Sequence, residues 1–230
     1  MTPAVYAPDA LQRLIQDTLA AAGFLPETAA QVAAHLVEAE LRGVGSHGVN
    51  RLQWYLGRQR IGELEAAARP RVTQDQGGLL TVDGGGGLGI PAMTLAVEAL
   101  LPRAKALGIA AAAIVNVGHT GRVGAYVETA AAAGLFALCF GGGGHAKWAA
   151  VVPFGGAEPV MSTNPYALAL PGDAAGPLAE RVAPSGAARG ATARRGRGGR
   201  SPPPGPRTGP QTAPAGTFND TRASTWSRRP

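Results

Sequence analysis

The sequence predicts a mixed α/β (α+β) fold followed by a disordered C-terminal tail. Apolar residues recur at helical spacing in the first sixty residues, whereas later segments are short and continuously apolar, as in buried strands. Residues 179–230 contain no Leu, Ile, Met or Tyr. The predicted divisions are a helical part (1–75), an α/β region (76–176) and the tail (177–230).

Three helices are predicted in the helical part. The first begins near Pro8 and is stopped by Gly23, and the second runs from Pro26 to about Leu41. Ser46 is a good N-cap for the third, which we expect to continue to about residue 60.

Strands and helices alternate in the α/β region. Short strands are predicted at 71–74 and 78–83, helices at 90–107 and 122–133, and further strands at 148–154 and 166–170. The segments 109–115 and 135–140 are apolar along their whole length, so we expect strands buried on both faces.

Charge is divided unevenly along the chain. Residues 1–178 have a net charge of −2 and residues 179–230 one of +8. A strongly basic charge usually indicates nucleic-acid binding, and here that argument applies to the tail alone. The tail is rich in Gly, Ala, Pro and Arg, and cannot bury enough apolar surface to offset ~1–2 kcal/mol of backbone entropy per residue.

The expected compartment is the cytoplasm. Cys139 is the single cysteine, so no disulfide can form within the chain, and it is expected to be a small core residue. The N-terminus lacks the pattern of a signal peptide, and no segment has the ~18 apolar residues of a membrane span.

The first candidate site follows Gly45. On a helix capped by Ser46, residues His47, Arg51 and Tyr55 would share one face. An imidazole suits proton transfer, and a guanidinium suits two-point binding of a carboxylate. The alternative is an ordinary polar surface face.

The second candidate is the glycine-rich turn between a predicted strand and helix, which contains His119, Thr120, Gly121 and Arg122. Backbone N–H groups at such a helix start can hold a phosphate. The alternative is a structural turn.

Two further segments contain polar or glycine residues suited to ligands. Ser162, Thr163 and Asn164 could bond a ligand or cap local backbone. The glycine run 84–89 formally matches the Rossmann pattern G-x-G-x-x-G, but the acidic residue expected about 20 positions later is missing.

Together these segments resemble the malate/L-lactate dehydrogenase family, which includes ureidoglycolate dehydrogenases and piperideine-carboxylate-type imine reductases. The matching stretches occur in the family's order over roughly residues 8–172, and they are LRGVGSHGVNRL, DGGGGLG, GHTGRVG, VPFGG and STNP.

The resemblance implies an NAD- or NADP-dependent oxidoreductase with a non-Rossmann cofactor fold, a homodimeric assembly and a small carboxylate substrate. It would make His47 the acid/base, with Ser46 orienting it and Arg51 and Tyr55 binding substrate. His119 would line the reacting centre or the cofactor. The cofactor contacts it implies are His119, Thr120, Gly121, Arg122, Ser162, Thr163 and Asn164; it implies no metal.

The sequence departs from the family pattern in two places. Gly45 stands where the family often has Asp. After Pro171 the family's catalytic Asp and Ala/Thr-Thr-Ser motif do not appear, and over a hundred further residues would be expected. We interpret the change near 176–179 as a truncation or a frameshift in a GC-rich gene. The alternatives for function are therefore an active dehydrogenase, an inactive fragment of one, and a basic-tailed nucleic-acid-binding protein.

Overall fold

A computed structural model describes residues 5–142, 151–152, 158–173 and 176–182. Its helices are α1 (Pro8–Ala21), α2 (Pro26–Leu41), a 3₁₀ turn (Gly45–His47), α3 (Asn50–Arg60), α4 (Gly89–Leu107) and α5 (Gly124–Ala132). Its strands are β1 (Arg71–Asp75), β2 (Leu79–Asp83), β3 (Ala111–Val115), β4 (Ala137–Phe140), β5 (Tyr166–Asp173) and β6 (Gly176–Val182). Among the described residues, no helix is long and apolar enough to cross a membrane.

The main core lies between the N-terminal helices. Ile15 and Leu19 of α1 pack in one buried cluster with Val32 and Leu36 of α2 and with Tyr55 of α3. Proline at the first position of α1 and α2 starts both helices, since proline costs no hydrogen bond there. The predicted bounds of these two helices are confirmed.

The first sheet has the order β1-β2-β3, with β1 and β2 antiparallel and β2 and β3 parallel. The parallel strands are joined through α4, whose Ala92 and Ala96 pack against Val82. The pairing of β1 with β2 crosses the predicted division at residue 75.

The prediction that the two apolar strands are buried on both faces is wrong. In β3 and β4, inward and exposed residues alternate, and Val115 is 45% and Phe140 74% exposed. Helices cover one face of each sheet in the described structure, and continuous apolarity cannot distinguish a one-sided from a two-sided strand.

The second sheet is antiparallel, with the order β4-β5-β6. Val127 and Ala131 of α5 pack on Ala167 and Ala169 of β5. Cys139 lies partly buried at the edge of this small core, and burial raises the pKa of its thiol.

The predicted start of the tail needs correction. Residues 177–182, assigned to the tail, belong to β6, which pairs with β5 from Tyr166↔Val182 to Asp173↔Gly176. Backbone pairing with an existing strand extends this segment, although its sequence, GPLAERV, does not alternate between apolar and polar residues. The rest of the predicted tail, 183–230, and most of the predicted strand at 148–154 lie outside the described residues.

Candidate functional site

The segment that contains His47 is a 3₁₀ turn and not the first turn of a helix. Helix α3 begins at Asn50, and the side chain of Ser46 caps nothing. The predicted cap is therefore wrong, and so is the helical face shared by His47, Arg51 and Tyr55. The Ser46 hydroxyl instead lies 3.0 Å from Nδ1 of His47.

Glu40 of α2 holds this turn through a hydrogen bond to its backbone. Its carboxylate accepts the backbone N–H of Val49 at 2.8 Å. A Cβ atom on Gly48 would stand 2.1 Å from the same carboxylate, so glycine allows the close approach. The backbone after His47 is thereby tied to α2, and the backbone before it is tied by the N–H of Val44, which donates to the oxygen of Ala39 at 2.8 Å.

The tertiary structure brings His47 and His119 together. Their rings stack with centroids 5.5 Å apart and an interplanar angle of 29°. Trp54 approaches His119 edge-on, with a centroid distance of 5.6 Å. The two predicted histidines thus form one aromatic cluster, although they come from different candidate segments.

Tyr55 lies behind His119, away from the surface. The ring of Tyr55 is 0% exposed, and its hydroxyl lies 2.8 Å from Nδ1 of His119. Burial, opposed by the nearby Arg51, raises the pKa of Tyr55 well above its usual value. Helix α3 turns this residue into the core, and its predicted contact with substrate stays a prediction.

Arg51 lies partly buried beside the 3₁₀ turn. Its Nε–H donates to the backbone oxygen of Ser46 at 2.6 Å, and its guanidinium lies over the ring of Trp54 at 5.6 Å. Burial lowers the pKa of Arg51 below its usual value. The orientation leaves the two terminal nitrogens as the groups that could clamp a carboxylate.

The glycine-rich turn around His119 is held from several sides. Gly121, at φ +72°, donates its N–H to Nδ1 of His119 at 3.2 Å. The hydroxyl of buried Tyr126 donates to the oxygen of Thr120 at 2.6 Å. His35 of α2 accepts the N–H of Arg122 at 2.8 Å and fills the space that a Gly121 side chain would need.

The side chain of Arg122 is buried in an ion-pair network. It is 2% exposed and donates to Glu38 of α2 at 2.8–3.2 Å and to Glu128 of α5 at 2.7–2.9 Å. Burial lowers its pKa, but the hydrogen bonds and charges of Glu128 and Glu38 raise the pKa above its usual value overall. The predicted cofactor contact thus joins two helices in the described structure.

The glycine run 84–89 packs against the protein itself. A Cβ on Gly84 would meet Val117 at 2.2 Å, one on Gly87 would meet Ala68 at 2.5 Å, and one on Gly89 would meet Thr120 at 2.7 Å. These glycines are needed for close chain packing, which explains the Rossmann-like spacing without a phosphate.

Ser162, Thr163 and Asn164 lie immediately before β5, at the second sheet. The Ser162 hydroxyl donates to the backbone oxygen of Thr163 at 3.2 Å. Thr163 is half-buried and Asn164 exposed. Their assignment as cofactor contacts stays a prediction.

The arrangement offers proton transfer and carboxylate binding. Two imidazoles and a guanidinium meet around Trp54: His119 stacks on His47 and contacts the edge of the Trp54 ring, and the Arg51 guanidinium lies over that ring. No group of three or more metal-ligating side chains occurs in the described part of the chain.

Four residues that shape this site were not predicted from the sequence: His35, Glu38, Glu40 and Trp54. The first three lie on α2 among residues that form its apolar stripe, and their partners are 9 to 87 positions away in the chain. Spacing within one helix contains no signal for such contacts. Trp54, adjacent to predicted Tyr55, could have been included as a neighbouring aromatic.

Comparisons with known proteins agree on one family. The sequence profile of the malate/L-lactate dehydrogenase family matches residues 6–215, a longer range than the predicted 8–172. A Δ1-pyrroline-2-carboxylate reductase from Ancylobacter novellus is 39% identical over 87% of this chain and 58% of its own length. The (2R)-3-sulfolactate dehydrogenase (NADP⁺) of Chromohalobacter salexigens is 38% identical over 76% and 52%, respectively.

A further relative and a solved structure extend the comparison. The ureidoglycolate dehydrogenase (NAD⁺) of Escherichia coli O157:H7 is 35% identical over 72% of this chain and 46% of its own. The crystal structure of Δ1-piperideine-2-carboxylate reductase from Pseudomonas syringae pathovar tomato matches with a TM-score of 0.76 and 29% identity, over 85% and 58%. The chain thus spans about half the length of the relatives it matches.

Proposed function

Because the chain belongs to the malate/L-lactate dehydrogenase family, we propose that it is built for NAD- or NADP-dependent hydride transfer at the carbon beside a carboxylate. The substrate class is a 2-hydroxy acid with its 2-oxo acid, of the malate and lactate type. The observation that carries the proposal is the stacking of His47 on His119, next to Trp54, whose ring also contacts the Arg51 guanidinium.

The described residues fit the reacting end of a nicotinamide cofactor better than its phosphates. The N–H of Gly121 donates to His119, and the guanidinium of Arg122 pairs with two glutamates. Other parts of the chain fill the space around the glycines 84–89. The hydroxyl and amide groups of Ser162, Thr163 and Asn164 are the remaining predicted cofactor contacts. When bound, the cofactor would supply the hydride acceptor or donor.

His47 is the group that takes up the proton when a substrate hydroxyl is oxidised, and returns it in reduction. The hydroxyl of Ser46 at Nδ1 orients the ring so that Nε2 can exchange that proton. Arg51 binds the carboxylate through its terminal nitrogens and so places the adjacent carbon. His119, whose ring stacks on that of His47, would lie beside the reacting group.

The assembly we propose is a homodimer. Exposed apolar side chains on β4 and just before it, with Phe136 57%, Leu138 51% and Phe140 74% exposed, supply surface of the kind that subunits or further chain cover. Light scattering after size-exclusion chromatography tests the assembly: a monomeric mass would contradict it.

The test of the proposed activity is His47→Ala in the 230-residue chain. Turnover of 2-hydroxy and 2-oxo acids, followed by nicotinamide absorbance, should fall by about 10²–10⁴-fold, the usual contribution of a general acid/base. Cofactor binding, measured by nicotinamide fluorescence, should be unchanged. Gln53→Ala, an exposed residue of α3, is the control and should retain turnover. Equal turnover by H47A and the unsubstituted chain would contradict the role of His47.

A second candidate is that this chain alone has no turnover. It is supported by the exposed faces of β3 and β4 and by the span of about half the relatives' length. Translation of the gene's other reading frames beyond residue 176 tests the frameshift hypothesis. Recovery of turnover in a frame-restored chain, with none in the 230-residue chain, would favour this candidate.

A further inference from the structure

The tautomer of His119 is determined by two groups that meet at the same ring nitrogen. Nδ1 lies 3.2 Å from the backbone nitrogen of Gly121 and 2.8 Å from the hydroxyl of Tyr55. A backbone N–H can only donate a hydrogen bond, so Nδ1 must be the acceptor and cannot have a proton of its own in this geometry. The Tyr55 hydroxyl, which can donate or accept, must then also donate.

We propose that Tyr55 is a positioning residue which, with the Gly121 amide, holds His119 in the Nε2–H tautomer. His119 then presents a hydrogen-bond donor at Nε2. An oxygen acceptor, such as a substrate carbonyl, is the chemical partner that this nitrogen recognises.

The surroundings of Tyr55 support a positioning role. The residue is fully buried in the helical core, and helix α3 fixes its backbone. The turn opposite is fixed as well, because Tyr126 bonds Thr120 and His35 bonds the Arg122 N–H. Neither side of the Tyr55–His119 hydrogen bond can therefore relax without disturbing the core.

The two histidines then have different roles in the reaction, and in this respect the inference rests on the proposed function. His119 with a protonated Nε2 cannot accept a proton there, so His47 is left as the acid/base. The tautomer itself is a property of the protein without ligand. It can be measured without turnover, so its failure is distinguishable from the failure of the proposed activity.

Long-range ¹H–¹⁵N correlation spectra of the ¹⁵N-labelled 230-residue chain test the proposal, at a pH where the ring is neutral. His119→Gln identifies the His119 signals among the four histidines by their loss. We expect an acceptor-type shift at Nδ1 and an N–H-type shift at Nε2. An N–H-type shift at Nδ1 would overturn the proposal, and this spectrum of the unsubstituted chain is decisive even if a variant fails to fold.

Tyr55→Phe removes one of the two donors. The ratio of Nδ1–H to Nε2–H forms should rise about fivefold, the change expected for one hydrogen bond of ordinary net strength. Tyr126→Phe is the matched control, since it removes a buried hydroxyl that bonds the same turn at Thr120 but not the ring of His119. It should leave the ratio unchanged. An unchanged ratio in Y55F, or an equal rise in Y126F, would overturn the role assigned to Tyr55.

Discussion

Replacement of Arg122 by alanine tests whether the buried ion pairs hold α2 against α5. The guanidinium is 2% exposed and bonds Glu38 and Glu128 through all three of its nitrogens. Removing one partner of a buried pair costs ~3–5 kcal/mol, because the remaining charge is left desolvated. The Glu38 side chain is 36% exposed and can recover some hydration, so we expect a loss of about 3 kcal/mol, at the lower end.

Arg42→Ala is the matched control for this variant. Arg42 pairs with the same two glutamates, but its side chain is 55% exposed, so its loss should cost less than about 1 kcal/mol and fade at high salt. Urea unfolding at pH 7, followed by circular dichroism, gives both values. If R122A costs no more than R42A, the network does not join the two helices. Adding Glu128→Gln to R122A should restore part of the stability, since it removes one of the two carboxylate charges that are left with Arg42 as their shared partner.

The remaining predictions concern pH and glycine. Burial, opposed by Glu38, lowers the pKa of His35 to about 4. The unfolded state therefore binds a proton at His35 more readily than the folded state does. The free energy of unfolding should be unaffected by His35 above pH 6.5 and should fall by about 3 kcal/mol as the pH falls from there towards 4. His35→Gln should show a smaller loss across this window in urea titrations. Gly57→Ala should stabilise α3 by ~0.5–1 kcal/mol, whereas Gly121→Ala, at φ +72° and against His35, should destabilise by more.

A specific result would contradict the prediction for each of these three variants. Parallel pH profiles for H35Q and the unsubstituted chain would show that His35 is not the titrating group. A destabilised G57A would contradict the open space around that residue. A G121A variant of unchanged stability would show that the turn can open away from His35.

The sequence predicted the local elements well where periodicity and end signals agreed. Helices α1 and α2 begin at the expected prolines, and β1 and β2 lie at their predicted positions. It failed at β6, because that strand is held by backbone pairing with β5 and its side chains lack a strand pattern. It also failed at Ser46, where the carboxylate of Glu40 holds the turn in place of a local cap.

The candidate site shows the same limit. His47 and His119 were both selected by residue type and glycine context, and the structure places their rings in contact. Helical spacing from His47 predicts Tyr55 as a site residue. That spacing does not apply, because the helix begins at Asn50. The contact that its hydroxyl makes in the described structure is with His119, 64 positions away.

Neighbouring residues were enough to predict most helices and strands, the separate basic region and the motifs that indicate the family, because each of these depends on local sequence. Packing between distant segments brings the donors of Tyr55 and Gly121 to Nδ1 of His119. It also places Arg122 between two helices. Those contacts link residues 64 and 84 positions apart, and such distances leave no trace in local periodicity. Only the packing of α2, α3 and α5 around the His119 turn brings these groups within hydrogen-bond distance.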